Sequence, residues 1–239
     1  MTTRHKAIKN TLDVGKASEW NEDHIEDFTL TKTETDCFLS SAVADNYDTS
    51  QTAGGGVAPV VALVDSHTSA EMDTGASDNA ISSMQKMMGG TMENITSYED
   101  NPCLTIAITL DTYPNDTECV EFGLKDSADT PFTANQSGAY FRIDNNKIYA
   151  VTGTGAAETA TDVTPTLGIP AHGVYRIILG SSNAMFYIDD MEDVVRTETA
   201  TLPTGELTAK ISCQNLGGAG KDVLMYVDAV SIKVNRYQG

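Results

Sequence analysis

Basic residues are scarce in this chain. Lys and Arg number 15 against 34 Asp and Glu, which gives a formal net charge of −19 at pH 7. A surface of that charge repels phosphate backbones, and no cluster of basic residues interrupts it. We therefore expect no nucleic-acid partner. The acidity by itself favours solubility and resistance to self-association.

Long apolar runs are also absent. The sequence contains no stretch of 18 apolar residues that would form a membrane-spanning helix, so we expect no membrane partner. The first six residues are followed by polar positions, whereas a secretory signal peptide continues with an apolar segment. We accordingly predict no signal peptide.

Cysteine is rare, and its spacing indicates no zinc site. The four cysteines are Cys37, Cys103, Cys119 and Cys213. If the strands predicted at 103–111 and 118–124 form a hairpin, Cys119 lies opposite Asp111, roughly 25 Å from Cys103 at the usual rise per residue. A disulfide needs Cα atoms within about 7 Å, so this register excludes a Cys103–Cys119 bridge. We expect free, mostly buried thiols.

The residues that are abundant favour strands. Threonine, valine, isoleucine and tyrosine are frequent, while the helix formers lysine, arginine and glutamine are few. Alternation is clearest at 104–110, where Leu104, Ile106 and Ile108 are separated by Thr105 and Ala107. Further strands are predicted at 37–39, 57–64, 82–88, 120–124, 139–143, 147–151, 174–179, 184–188, 194–199, 207–213 and 223–234. Many short strands with almost no helix indicate an all-β antiparallel sandwich or barrel over residues 36–239.

Residues 1–35 differ from the rest and are predicted to be an N-terminal docking arm. Ser18 is placed to cap a short helix at 19–28, and acidic residues near its start favour it. The apolar stripe of this helix is incomplete, so the helix needs a surface to lie on. That surface is either its own sandwich or another subunit. The candidate docking residues are Trp20, His24, Ile25 and Phe28.

The stretch from Glu121 to Tyr237 resembles the concanavalin A-like lectin/glucanase and laminin-G jelly rolls. The matching phrases lie at 120–124, 138–143, 175–177, 185–189 and 227–230. This resemblance implies an antiparallel jelly-roll β-sandwich preceded by a short helical or extended arm. It also makes calcium the cofactor to look for, and the acidic run after the strand at 184–188 offers Asp189, Asp190 and Asp193 as candidate ligands. Because this run lacks the EF-hand spacing, we expect a solvated turn and no cofactor, with calcium as the alternative.

A second resemblance lies in the arm. Residues 17–24 are similar to the Ser-x-Trp-Asn-x-x-His phrase near the start of many virion proteins of tailed viruses. That resemblance implies a component of the virus head, tail or fibre, assembled in the host cytoplasm and located in the virion.

Catalytic residues of the glucanase type are not predicted. Such enzymes need two acidic residues on one face of one strand, about 5 Å apart. The corresponding strand holds Glu118 and Glu121, whose spacing of three points them to opposite faces. The four histidines are widely scattered, with no metalloprotease, nucleophile-elbow or phosphate-loop motif around them. Sugar binding would need an exposed aromatic platform, for which Tyr140, Tyr149, Tyr175 and Tyr187 are available.

We therefore expect a non-enzymatic structural protein of a tailed virus particle, in which the arm anchors a lectin-like sandwich. Its expected partners are other virion proteins and copies of itself, with host-surface glycans as a further possibility. The alternatives are a carbohydrate-binding module that recognises host glycans and, after it, a glycan hydrolase.

Overall fold

A computed structural model describes residues 29–38, 42–52, 57–64, 67–86, 96–111, 118–189, 192–216 and 222–237. These residues form sixteen β-strands and two short 3-10 turns, at Val43–Asp45 and Tyr98–Asp100. The strands are β1 Thr29–Asp36, β2 Tyr47–Thr52, β3 Val57–Val64, β4 His67–Asp73, β5 Ile81–Lys86, β6 Thr96–Ser97, β7 Cys103–Leu110, β8 Glu118–Lys125, β9 Ser137–Asp144, β10 Lys147–Thr154, β11 Glu158–Asp162, β12 His172–Leu179, β13 Ala184–Ile188, β14 Arg196–Glu198, β15 Glu206–Asn215 and β16 Leu224–Tyr237. Within this part of the chain, no helix is long and apolar enough to span a membrane.

The strands form two antiparallel sheets. Sheet I has the order β14-β13-β12-β7-β16-β4-β3, with β1 beside β16. Sheet II has the order β11-β10-β9-β8-β15-β5-β2, with β6 beside β15. The predicted all-β jelly-roll sandwich is confirmed. Residues 29–35, which the sequence assigns to the arm, lie in β1 and pair with the C-terminal half of β16.

The core fills the space between the sheets because each central strand turns alternate apolar side chains inward. Phe122 of β8 and Phe141 of β9 come from sheet II and meet Tyr175 and Phe186 from sheet I. The Phe122 and Tyr175 ring centroids are 4.8 Å apart, and those of Phe141 and Phe186 are 5.2 Å apart. These edge-to-face contacts between large, fully buried rings hold the two layers together.

Two hairpins join strands at positions where the sequence predicts them. Strands β9 and β10 pair through the turn Asn145–Asn146, where both residues adopt the left-handed conformation that a tight hairpin requires. Strands β12 and β13 pair around Gly180 to Asn183, as their flanking apolar runs predict.

The predicted pairing of the strands at 103–111 and 118–124 is wrong. Strand β7 lies between β12 and β16 in sheet I, whereas β8 lies between β9 and β15 in sheet II. The two strands therefore lie on opposite sides of the core, and their alternating apolar residues face each other across it. All four cysteines are free thiols, and Cys119 and Cys213 are buried.

Candidate functional site

The candidate site lies on the outer face of sheet II, the face that points away from the core. Alternation along β8 turns Val120, Phe122 and Leu124 inward, so Glu121 and Lys125 lie on the opposite face. In the ladder between β8 and β9, Glu121 is directly opposite Arg142. Two cations and one carboxylate thus share a small area of the sheet.

Glu121 is fully buried, and five hydrogen bonds reach its carboxylate. Lys125 Nζ donates to Oε2 at 2.6 Å, and Arg142 Nε donates to Oε1 at 2.8 Å. The side-chain amide of Gln136 donates to both oxygens, and the backbone N–H of Phe132 donates to Oε2 at 3.1 Å. A carboxylate has about four lone-pair sites, so this one has no acceptor capacity left for a ligand.

Arg142 connects this buried carboxylate to a second one. Its Nη1 donates to Glu158 Oε1 at 2.8 Å and its Nη2 donates to Oε2 at 3.0 Å. The Tyr140 hydroxyl also donates to Glu158 Oε2, at 2.7 Å. Glu158 is therefore held in a fixed orientation by a bidentate arginine and a phenol, the geometry that orients a carboxylate most firmly.

The charges of this network shift its pKa values. Burial alone would raise the pKa of Glu121, but Lys125 and Arg142 outweigh burial and lower it to about 2. Burial lowers the pKa of Lys125 despite the opposing charge of Glu121. The pKa of Tyr140 is raised by burial and by the charge of Glu121, so its hydroxyl stays a donor. Glu121 is consequently an anion at neutral pH.

A cleft of about 340 Å³ opens beside the network. Its lining includes the edges of Glu121 and Arg142, and the side chains of Asp144, Glu158 and Gln214. Asp144 lies two residues beyond Arg142 on the same face of β9. Burial raises the pKa of Asp144, and the nearby Arg142 guanidinium only partly opposes that rise. The cleft thus combines three carboxyl groups in three different environments.

The loop between β8 and β9, residues 126–136, folds over the outer face of sheet II, and we call it the strap. Lys210 Nζ, on β15, donates to the backbone carbonyls of Ser127 and Asp129. Phe132 and Asn135 both adopt the left-handed conformation, with φ of 62° and 59°. Gly123 of β8 lies opposite Tyr140 of β9, and a Cβ at this position would overlap the Tyr140 backbone.

The sequence-predicted site residues do not meet at this cleft. The docking candidates Trp20, His24, Ile25 and Phe28, and the calcium candidate Asp190, lie outside the described residues. Asp189 bonds to β12 through both its backbone N–H and its carboxylate, and Asp193 is exposed. Among the described residues, no group of three potential metal ligands comes together. Of the four tyrosines, Tyr140 and Tyr175 are fully buried, Tyr187 is nearly so and Tyr149 is half-buried.

The sequence predicts that Glu118 and Glu121 lie on opposite faces of one strand, and this holds for β8. It does not consider carboxylates that neighbouring strands add to the same face of the sheet. Strand β8 carries a single carboxylate, Glu121, on its outer face. The other carboxylates come from β9 and β11, which the sequence places 21 or more residues further along. Glu121 and Lys125 are four residues apart on β8, and this spacing was the available signal for a charged cluster on its outer face, although the predicted strand ended one residue before Lys125.

Comparisons with known proteins show a shared fold. No family model and no curated protein matches the chain. A protein of unknown function from Shewanella oneidensis superposes with a TM-score of 0.61 at 14% identity, over 100% of this chain and 96% of that one. A family 16 endo-glucanase from Bacteroides ovatus has a TM-score of 0.56 at 14% identity, over 83% of this chain and 99% of that one. A lichenase from a mouse hindgut metagenome superposes with a TM-score of 0.54 at 10% identity, over 84% of this chain and 98% of that one.

These likenesses contradict the interpretation of the chain as a non-enzymatic structural protein of a tailed virus. Several of the similar structures are glucanases and another is a transglycosylase, and nothing in the comparisons links the chain to a virus particle, a capsid or a tail fibre. The eight-residue phrase in the arm is too short to outweigh a likeness that spans most of the chain. The chain has the concanavalin A-like jelly-roll fold that family 16 glycoside hydrolases also adopt.

Proposed function

We propose that the chain is a glycoside hydrolase and that the cleft on sheet II is where it cleaves its substrate. The observation that carries the proposal is that two carboxyl groups line one cleft in different settings: burial raises the pKa of Asp144, whereas Glu158 is held in one orientation by Arg142 and Tyr140. An acid with a raised pKa beside a second, oriented carboxyl group is typical of sites for acid–base chemistry.

Asp144 is the general acid in this proposal, and Glu158 is the general base. Asp144 donates its proton to the glycosidic oxygen as the bond to the anomeric carbon breaks. A water molecule attacks that carbon from the other side, and its proton passes to Glu158. Hydrolysis of this kind consumes one water, and the enzymes that use it generally hold their two carboxyl groups roughly 6.5–9.5 Å apart to leave room for that water.

Glu121 is a positioning residue in this proposal. Its side chain has 0% of its surface exposed, and its oxygens are saturated by protein donors, so it cannot contact a sugar. It fixes Arg142, which in turn fixes Glu158. This chain of contacts gives Glu121, a buried carboxylate with a lowered pKa, a role in orienting the groups of the cleft.

The substrate class we propose is a β-linked glucan. Two of the enzymes with this fold are described as acting on mixed-linkage or β-1,3-1,4-glucan. The cleft is lined by carboxylates, an amide and a guanidinium, which suit the hydroxyl groups of a neutral sugar.

The test is release of reducing ends from a panel of β-glucans by the full chain. We expect Asp144→Asn and Glu158→Gln each to lower kcat by about 10²-fold or more, the usual contribution of a positioned acid or base. Asp193→Asn, an exposed carboxylate in the segment between β13 and β14, is the matched control and should keep full activity. If the wild type binds these glucans without releasing reducing ends, the proposal fails.

A further inference from the structure

We propose that the strap makes this site specific for the ends of glycan chains or for short oligosaccharides, rather than for internal bonds of a polymer. The inference rests on the proposed function and deepens it. It also separates the chain from the Bacteroides ovatus structure of the same fold, which is described as an endo-glucanase.

The first observation is that the strap is fastened across the middle of sheet II. Lys210 on β15 binds the carbonyls of Ser127 and Asp129, and Glu121 on β8 binds the Phe132 N–H. Gln136, at the end of the strap, donates to Glu121 as well. Charged groups buried on two neighbouring strands thus hold the same loop. Charge-assisted bonds of this kind are among the strongest that a protein makes.

The second observation is that the outer face beneath the strap is covered. Lys125, Lys210 and Ser212 point away from the core, yet they are only 0%, 5% and 1% exposed. In the ladder between β8 and β15, Ser212 is directly opposite Glu121, so this covered area is the centre of the sheet. A glycan that crossed the sheet over Glu121 would have to pass through the strap.

The third observation is the size and boundary of the space that remains. Four residues of the strap, Phe132, Thr133, Ala134 and Asn135, line the cleft of about 340 Å³. Leu216 contributes to the lining after the end of β15. This volume lies at the lower end of the roughly 300–1,000 Å³ that ligand pockets span. An internal bond of a long polymer requires a groove open at both ends, whereas a walled cleft admits a chain end.

One experiment measures affinity against chain length. The Asp144→Asn variant is titrated with β-glucan oligosaccharides of increasing length, so that binding is read without turnover. We expect affinity to stop rising within the first few sugar units, because the cleft lies at the lower end of the volume range of ligand pockets. An affinity that keeps rising beyond six units would overturn the inference.

A second experiment reads the mode of attack on a soluble mixed-linkage glucan. The wild type should release reducing ends as small sugars while the viscosity of the polymer hardly falls. A rapid loss of viscosity at little release of reducing ends would overturn the inference and leave the proposed hydrolase function intact. Absence of any cleavage across the glucan panel would instead overturn the proposed function, and the inference with it.

Phe132→Ala tests whether the strap sets this preference. The substitution removes a ring from the wall of the cleft but keeps the backbone N–H that binds Glu121. We expect the ratio of kcat/KM on polymer to kcat/KM on a trisaccharide to rise several-fold. Thr130→Ala, an exposed strap position, is the control and should leave the ratio unchanged. An unchanged ratio in Phe132→Ala would show that the strap does not set the preference for short substrates.

Discussion

Strands β8 and β9 bury both of their faces, but they do so with opposite chemistry. The inner face packs Phe122 and Phe141 into the aromatic core, where the two ring centroids are 5.6 Å apart. The outer face buries Glu121 and Lys125 beneath the strap, both with no exposed side-chain surface. The same two strands therefore support a dry apolar layer on one side and a compensated ionic layer on the other.

The difference shows what each kind of burial requires. Apolar side chains need only volume and shape to match, because removing their surface from water is favourable in itself. A buried charge needs a partner in hydrogen-bond contact, since the desolvation penalty is several kcal/mol for each ion. The outer face meets that requirement with five hydrogen bonds from four donors to Glu121, and this constraint leaves Arg142 and Glu158 fixed beside the cleft.

The largest expected effect lies on the inner face. Phe122→Ala should lower the free energy of unfolding by about 3–5 kcal/mol, because it leaves a cavity beside the rings of Phe141 and Tyr175. Urea denaturation followed by far-UV circular dichroism measures this change in the free energy of unfolding. Leu167→Ala, at a side chain that is 100% exposed, is the control and should change stability by less than about 0.5 kcal/mol.

The outer face should respond to loss of a charge rather than of volume. Glu121→Gln removes the anion and leaves Lys125 and Arg142 without it, which should destabilise the fold by about 3 kcal/mol. The double variant Glu121→Gln/Lys125→Met should be more stable than Glu121→Gln alone, because it also removes a buried cation. A double variant that is less stable by the sum of the two single effects would show that the pair does not interact.

The two faces should also differ in their dependence on pH. The folded pKa of Glu121, about 2, lies below its ordinary value of 4.5. Its contribution is therefore fully present above about pH 4.5 and is lost as pH falls toward 2, with a limit of about 3 kcal/mol. Unfolding curves from pH 7 to 2.5 should show this loss in the wild type and in Phe122→Ala, but not in Glu121→Gln.

Asp144 should act in the opposite direction and more weakly. Its folded pKa is raised, so ionising it costs stability as pH rises, and that cost is removed as pH falls through the folded pKa. Asp144→Asn should therefore be slightly more stable than the wild type at pH 7. The same comparison of unfolding curves measures it, and a less stable Asp144→Asn would contradict the assigned environment.

The inner face is also the part of the molecule that sequence predicts best. Alternation identifies β7, β9, β12 and the inward positions of β8, because one face of each must be apolar. Alternation does not say which strands are neighbours, and this is why β7 and β8 were wrongly paired. The site depends on that missing information: Glu121 and Arg142 meet only because β8 and β9 pair in one register.

The strap was less predictable still. Residues 126–136 have the composition of an ordinary turn-rich loop, and nothing local indicates that they lie back over the sheet. Their position is fixed by Lys210, more than 70 residues later in the chain, and by the backbone donor of Phe132. Long-range contacts of this kind are set by tertiary packing, so local propensity carries no trace of them.

The central claim is that the cleft beside Arg142 cleaves glycosidic bonds with water. The most direct measurement is mass spectrometry of β-1,3-1,4-glucan oligosaccharides incubated with the full chain in ¹⁸O-labelled water. We predict shortened products that carry one ¹⁸O at the new reducing end with the wild type and with Asp193→Asn, and almost none with Asp144→Asn. Intact, unlabelled oligosaccharides with the wild type, or equal labelling by wild type and Asp144→Asn, would contradict the account.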